Sequence, residues 1–182
     1  MIQYITRKFE ADASHRVMNE RMKCFNCHGH RYSVYLTFSF EQIEEIGYTI
    51  DFKEIKRVGG QWIEDTLDHG AIYNPTDVDF IFPCFKHKTK VWLMSLNGDG
   101  NYCNPSVENI AKEIFLAMKC LFKGYEKLKI YKVVVYETEN CSTECFGTSE
   151  KEESNWNEVN WTKVREYALN KGIIEYDDRK IK

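Results

Sequence analysis

Long apolar runs are missing from this chain of 182 residues. No uninterrupted apolar stretch approaches the ~18 residues that a membrane-spanning helix needs. The first eight residues also lack the apolar core of a secretory signal peptide. We therefore expect a cytoplasmic protein without a membrane partner.

An excess of positive charge is absent as well. Lysine and arginine number 25 against 28 aspartate and glutamate residues, which gives a formal net charge of −3. Proteins that bind nucleic acid through electrostatic attraction usually carry a basic patch. This charge balance therefore argues against a nucleic-acid partner.

Paired cysteines of a secreted scaffold are not indicated either, because the chain has an odd number of cysteines, seven, and no secretory signal. In a reducing compartment, thiols serve as metal ligands, nucleophiles or core residues and rarely form disulfides. With 43% hydrophobic residues, a chain of this length can bury a sizeable core as one domain. The composition therefore favours a cytosolic enzyme.

Two segments carry histidines where strand geometry would bring them to one face. Side chains in a strand alternate between its two faces. The even positions that follow His28 and His30 are apolar or aromatic, as in a half-buried strand; they are Tyr32, Val34, Leu36, Phe38 and Phe40. A second such row, Phe9, Ala11 and Ala13, ends at His15. We expect the three imidazoles to converge.

Three histidines suit a catalytic zinc ion, because they leave a fourth tetrahedral position for water or substrate. One alternative is that they are ordinary strand-end histidines that bind neighbouring groups. Another is a structural zinc held by four thiolates, from Cys24 and Cys27 together with Cys141 and Cys145. The four-thiolate site would leave the histidines unexplained.

The remaining pattern predicts two helices, a strand and a tail. The first helix begins at Asp51, with Glu54 completing a capping box, and ends near residues 67–70 with Gly70 in a C-terminal cap position. Residues 74–104 read as loop, short strand at 91–94, and loop, with Gly98 and Gly100 in the second loop. The second helix starts at Asn104-Pro105 and closes at Gly124. A β-branched strand then runs from Lys129 to Glu137.

The chain after residue 138 changes character, since residues 139–158 are acidic and polar with little apolar pattern. A last amphipathic helix runs to Gly172. We therefore divide the chain into a domain at 1–148, with an insertion at about 74–104, and an acidic linker with a helical extension at 149–182. The sequence leaves open whether this extension packs on its own chain or on a neighbouring subunit.

The order of several short motifs resembles the family of 6-pyruvoyl-tetrahydropterin synthase and 6-carboxytetrahydropterin synthase. The motifs are Ala13-Ser14-His15-Arg16, Cys24 followed after three residues by His28-Gly29-His30, Ile50-Asp51-Phe52, Leu67-Asp68-His69, Asn104-Pro105-Ser106-Val107-Glu108-Asn109 and Val135-Tyr136-Glu137-Thr138. The resemblance spans about residues 4–147. It implies the α+β tunnelling fold, in which an antiparallel four-stranded sheet carries two helices between its second and third strands. In that family, sheets join into barrels between subunits, usually as trimers stacked into hexamers, with the active site between subunits.

The resemblance also implies a role for each matching residue. His15, His28 and His30 match the zinc triad, Cys24 the cysteine that abstracts a proton, and His69 with Asp68 its relay partner. Glu137 matches the glutamate that grips the pterin ring, and Ser106 lies in a motif near the substrate. Arg16 and Lys23 are triphosphate candidates because they are basic and near the ligands. Alternatively, Cys24 is an inert thiol with Cys27 as the nucleophile, and Asp68 and His69 only cap a helix end.

The spacing of Cys24 distinguishes two reactions within the family. Enzymes that form the pyruvoyl product tend to place five residues between the cysteine and His-Gly-His, whereas the carboxy-type enzymes of the queuosine route place three, as here. The resemblance therefore implies conversion of 7,8-dihydroneopterin triphosphate to 6-carboxy-5,6,7,8-tetrahydropterin, with release of acetaldehyde and triphosphate. The alternatives are 6-pyruvoyl-tetrahydropterin synthesis and a zinc- or pterin-binding module without turnover.

Overall fold

A computed structural model describes residues 1–95 and 103–173. Its strands are β1 (Gln3–His15), β2 (His28–Phe40), β3 (Gly70–Tyr73), β4 (Val91–Leu93), β5 (Lys129–Thr138) and β6 (Cys141–Cys145). Its α-helices are α1 (Phe52–Ile55), α2 (Gln61–Thr66), α3 (Val78–His87), α4 (Val107–Leu121), α5 (Glu150–Val159) and α6 (Trp161–Asn170). The expected loop at Gly98 and Gly100 lies outside the described residues.

The sheet has six strands in the order β4-β3-β1-β2-β5-β6. Strands β1, β2, β5 and β6 pair antiparallel and form the expected four-stranded unit, with helices between its second and third strands. The prediction of an α+β tunnelling fold is therefore confirmed. Strands β3 and β4 extend the sheet in parallel, and β3 pairs with β1 only along residues 13–15.

Helices α1 and α2 are joined by a π-helical turn, Lys56–Gly60, and form one continuous helical segment. Asp51 caps its start as expected, since its side chain accepts from the Lys53 N–H. Glu54, however, accepts from Arg57 and Tyr125, so the expected capping box is not formed.

The π-helical turn packs against the sheet through two residues without side chains, Gly59 and Gly60. A Cβ atom added at Gly60 would lie 2.4 Å from a ring carbon of Phe9, and one at Gly59 would lie 2.9 Å from a methyl carbon of Leu36. Real Cβ atoms do not approach neighbours so closely. The sequence Gly59-Gly60 therefore allows the helix to lie close to β1 and β2.

The helical segment ends differently from the prediction. His69, and not Gly70, takes the left-handed backbone conformation, with φ at 54°, and Gly70 begins β3. The His69 N–H donates to the Asp12 carbonyl oxygen at 2.7 Å. The chain thus passes directly from the helix into a strand, and His69 occupies the turn.

The segment that follows β3 contains a helix that the sequence did not indicate. The short strand β4 was expected, but α3 precedes it and includes Pro83. Ile81 packs with Ala71 and Tyr73 in a small cluster separate from the main core. The prediction of a loop before β4 was therefore wrong.

Helix α4 covers the sheet and forms the main core with it. Ser106, two residues after the expected start, is its N-cap, and its side chain accepts from the Asn109 N–H at 3.4 Å. The helix ends at Leu121, before the expected Gly124. The core residues shared by helix and sheet include Leu36, Phe38, Val133, Val135, Ile114, Leu116 and Met118.

Residues 139–158, expected to show little regular structure and to include the start of the linker at 149, contain β6 and most of α5. The extension packs on its own chain, because the carboxylate of Glu113 in α4 accepts from the Trp156 indole N–H at 2.7 Å and from the Asn160 amide at 3.2 Å. Glu113 also accepts from the Ser95 backbone N–H at 2.6 Å. Across 1–95 and 103–173, no helix combines the length and the apolar character that crossing a bilayer requires.

Candidate active site

Three imidazoles converge at one end of β1 and β2. The pairing of His15 with His28 ends the β1–β2 ladder, and His30 lies on the same face two residues further along β2. One ring nitrogen from each histidine lies within 4.8 Å of the other two, and the Nε2 atoms of His15 and His28 are 3.2 Å apart. The alternation of strand faces therefore produces the cluster that the sequence predicted.

Backbone carbonyls select which nitrogen of the His15 and His28 rings faces the cluster. The Nδ1 of His15 lies 2.7 Å from the Pro105 oxygen, and the Nδ1 of His28 lies 2.7 Å from the Asn26 oxygen. Carbonyl oxygens only accept, so each Nδ1 carries the proton and each Nε2 keeps its lone pair. Two lone pairs at 3.2 Å repel each other unless a cation or a proton lies between them.

The donor set fits a zinc ion. Burial lowers the pKa of both His15 and His30, which favours the neutral imidazole that binds metals. The Nε2 of His30 is buried and has no hydrogen-bond partner among the described residues. Among the described residues, this triad is the one group of three or more potential ligands that comes together, so the four cysteines of the alternative site do not converge.

Glu137 on β5 lies beside the histidines. Its Oε1 is 3.4 Å from the Nε2 of His15 and 3.8 Å from the Nε2 of His30. The Glu137 side chain is 21% exposed, so solvent reaches part of it. The arrangement offers an accessible acceptor for N–H groups next to a site for a cation.

Cys24 and Cys27 lie on the loop between β1 and β2, which we name the thiol loop (residues 16–27). Cys24 is half-buried in a short 3₁₀ turn, Lys23–Phe25, whereas Cys27 is exposed and lies 3.3 Å from the Tyr73 hydroxyl. Burial raises the pKa of the Cys24 thiol, and the charges of Glu137 and Glu20 raise it further. A nearby positive charge would be needed to make this thiol a base near neutral pH.

Asp68 and His69 form a pair of their own. The Asp68 carboxylate accepts from the His69 ring at 2.8 Å and from the Asp12 backbone N–H at 2.7 Å. Burial opposes ionisation of Asp68, but these two hydrogen bonds keep its pKa below the ordinary value. The His69 side chain is 80% exposed. Within the described part of the chain, no hydrogen bond or ion pair joins His69 to Cys24.

The predicted substrate-binding residues have different surroundings. Arg16 donates to both carboxylate oxygens of Asp77, at 2.5 and 2.8 Å, and lies over the rings of Phe25 and Phe80. Lys23 is exposed in the thiol loop. The hydroxyl of Ser106 caps α4.

Sequence reasoning missed two buried residues near the site. Tyr32 packs edge-on against the rings of His15 and His30, and its buried hydroxyl has no hydrogen-bond partner within residues 1–95 and 103–173. Asn104 contacts the backbone of the thiol loop through its side-chain amide. Asn104 belongs to a motif that we read as a helix start and as part of the family resemblance, and its own side chain received no role because its long-range contact leaves no local signal.

Known sequences match most of the chain. A family model described as 6-pyruvoyl tetrahydropterin synthase matches residues 4–148. A Rickettsia felis protein named 6-carboxy-5,6,7,8-tetrahydropterin synthase is 34% identical over 146 residues, covering 76% of this chain and 96% of that protein. A Rickettsia bellii protein of the same name is 31% identical over 142 residues, with the same two coverages.

Solved structures share the fold at low sequence identity. An uncharacterized protein from Wolinella succinogenes superposes with a TM-score of 0.66 at 16% identity, covering 81% of this chain and 99% of that chain. The Caenorhabditis elegans 6-pyruvoyl tetrahydropterin synthase gives a TM-score of 0.57 at 22% identity, covering 81% and 97%. At these identities, the likeness concerns the fold alone.

Proposed function

The chain belongs to the 6-pyruvoyl tetrahydropterin synthase family, and from that premise we propose that it is a zinc-dependent 6-carboxytetrahydropterin synthase. It would convert 7,8-dihydroneopterin triphosphate to 6-carboxy-5,6,7,8-tetrahydropterin, releasing acetaldehyde and triphosphate, as in the queuosine route. The names of the Rickettsia relatives and the three-residue spacing between Cys24 and His28 support the carboxy-type reaction. Zinc, the cytoplasmic location and an assembly of trimers or hexamers are part of the same proposal.

One observation carries the proposal. Ring nitrogens of His15, His28 and His30 and the Glu137 carboxylate meet at the same end of β1, β2 and β5. A purely structural role would not require bare imidazole nitrogens to face one another beside a partly exposed carboxylate. The geometry suits a bound cation with a nitrogen-rich ring held next to it.

Zinc held by His15, His28 and His30 would polarise a hydroxyl oxygen of the substrate side chain, make the adjacent C–H acidic and lower the pKa of a nearby thiol. Glu137 would accept two parallel hydrogen bonds from the amide and amino N–H groups of the pterin ring. The Cys24 thiolate would then remove a proton from the side-chain carbon. Each of these groups has one task in the reaction.

Asp68 would hold the His69 ring in one orientation and tautomer so that the imidazole can exchange a proton. Because His69 is exposed and, among the described residues, no hydrogen bond or ion pair joins it to Cys24, we place this pair in the active site of an adjoining subunit. This placement requires oligomerisation for activity. Isolated subunits would keep the histidine cluster but lack the proton relay.

Product analysis tests the proposed function. The purified zinc-loaded protein is incubated with 7,8-dihydroneopterin triphosphate, and both acetaldehyde and pterin products are measured. Acetaldehyde together with the 6-carboxy product would support the proposal. Accumulation of 6-pyruvoyl-tetrahydropterin without acetaldehyde would instead indicate the pyruvoyl-type enzyme. Binding of substrate without either product would indicate a binding module.

A further inference from the structure

We propose that Asn104 is a positioning residue that holds the thiol loop in register with the histidine cluster. This inference rests on the proposed function in one respect, namely that Cys24 is the base. Asn104 is 7% exposed and lies just before α4, far in sequence from the thiol loop and from the histidine cluster. Its sequence neighbourhood, a helix start within the motif of residues 104–109, assigns no role to its side chain.

The Asn104 side chain binds the thiol loop at two points. Its Oδ1 accepts from the Met18 backbone N–H at 3.1 Å, and its Nδ2 donates to the Met18 carbonyl oxygen at 2.9 Å. These are the two bonds that a neighbouring strand would make with Met18. The side-chain amide therefore takes the place of a strand partner beyond the end of β1.

The connection continues from Met18 to the thiol. The adjacent Val17 donates its N–H to the Cys24 carbonyl oxygen at 2.8 Å. The 3₁₀ turn that carries Cys24 has no side-chain cap of its own. The position of Cys24 therefore depends on the Met18 backbone, and that backbone depends on Asn104.

The same segment also fixes a metal-site histidine. Pro105, the next residue, accepts the Nδ1 proton of His15 with its carbonyl oxygen at 2.7 Å. Two consecutive residues thus hold the imidazole and the thiol loop. Any shift of this segment would move both groups together, whereas loss of the Asn104 side chain would release only the loop.

Asn104 is itself held by two further asparagines. The buried Asn74 donates to its Oδ1 at 3.0 Å, and Asn109 in α4 donates to its backbone oxygen at 2.9 Å. A buried amide with its partners in place has one preferred orientation. Asn104 can therefore act as a rigid reference for the loop.

The test compares Asn104→Asp and Asn104→Ala with Thr76→Val. Asp keeps the shape and the acceptor but places an oxygen opposite the Met18 carbonyl, and Ala removes both bonds. The Thr76 hydroxyl donates to the side-chain oxygen of Asn74 at 2.9 Å and lies 3.7 Å from the Met18 sulfur, so it contacts the side chain of Met18 and not its backbone N–H or carbonyl oxygen. Substitution by Val therefore alters the network while both bonds between Asn104 and the Met18 backbone stay in place.

We expect both Asn104 variants to lower kcat by about 10-fold to 10²-fold, the scale for a misplaced reacting group. Their KM, zinc content and cobalt-substituted absorption spectrum should stay near wild type, because His15 keeps its Pro105 contact. Thr76→Val should keep wild-type kcat. Unchanged kcat in Asn104→Asp would overturn the proposal, as would zinc loss in parallel with the loss of kcat.

A second measurement does not depend on turnover. Alkylation of Cys24 by iodoacetamide, followed by mass spectrometry of its peptide, should be at least about threefold faster in the Asn104 variants because the loop is less restrained. Hydrogen exchange at Met18 should also accelerate. If wild type yields no product, the proposed function fails while these data still decide the positioning role. Unaltered alkylation and exchange would refute it. If Asn104→Ala does not fold, Asn104→Asp alone decides.

Discussion

The Nε2 atoms of His15 and His28 face each other at 3.2 Å while both Nδ1 atoms bind backbone carbonyl oxygens. This relationship fixes the tautomer of each ring before any metal binds. The cluster is therefore arranged in advance for a cation, and its ligands need little reorganisation.

The first prediction concerns the metal. Purified protein should hold about one zinc ion per chain. Replacement of His15, His28 or His30 by Ala should deplete the metal, because two ligands remain. Cys141→Ala and Cys145→Ala serve as controls and should keep it, since their thiols lie outside the cluster. Metal content is measured by atomic emission, and full zinc in His28→Ala would disprove the three-histidine site.

The second prediction concerns Glu137. Glu137→Gln should weaken pterin binding at least about tenfold, because an amide presents a donor where the ring requires a second acceptor. Zinc should remain. The matched control is Glu139→Gln, an exposed residue beyond the end of β5. Isothermal titration calorimetry with a dihydropterin measures the affinity. Unchanged affinity in Glu137→Gln would show that Glu137 has no role in recognition of the ring. Loss of zinc in this variant would instead indicate that Glu137 is a metal ligand.

The third prediction separates the two thiols. Cys24→Ala should lower kcat by at least ~10²-fold, the usual lower scale for a general base, with zinc and substrate binding retained. Cys27→Ala should remain active, because Cys27 is exposed and its thiol faces Tyr73. Steady-state kinetics on both variants provides the comparison. The reverse pattern would show that the family spacing identified the wrong base.

The sequence predicted the histidine cluster because local rules determine its position. Alternation along a strand determines the face on which each histidine lies, and short motifs indicate where β1 ends and β2 begins. It did not predict α3, because Pro83 suggested a loop. The helix is held by a contact between Arg16 and Asp77, 61 residues apart, which no local pattern reveals. Strand β6 was missed for a related reason, since one of its five residues is buried and no alternation results.

The fourth prediction concerns assembly. Strand β6 lies at one end of the sheet, and residues 3–12 of β1 have no partner among the described strands on the side away from β2. Such open edges are usually covered in stable proteins. Analytical ultracentrifugation should therefore detect a trimer or a hexamer, and dilution that dissociates it should abolish activity. A fully active monomer at micromolar concentration would contradict the intersubunit site.

The fifth prediction concerns the C-terminal extension. Glu113→Ala should lower the free energy of unfolding by about 3 kcal/mol, because the buried N–H groups of Ser95 and Trp156 lose the carboxylate that accepts from them and the Asn160 amide loses one of its acceptors. Urea denaturation measures this change, and limited proteolysis should cleave within 149–173 first. Glu108→Ala, at an exposed position of the same helix, is the control. Zinc content should not change, since the histidines lie elsewhere.

The close approach of Gly60 to Phe9 determines the distance between the first helical segment and the sheet. The helix backbone at Gly60 packs directly on the ring of Phe9, with no side chain between helix and sheet. A methyl group added at Gly60 would therefore force the helix and the sheet apart. The displaced ring belongs to β1, the strand that ends at His15. A side chain added at Gly60 should therefore shift the histidine cluster from a position outside it, through the spacing between helix and sheet.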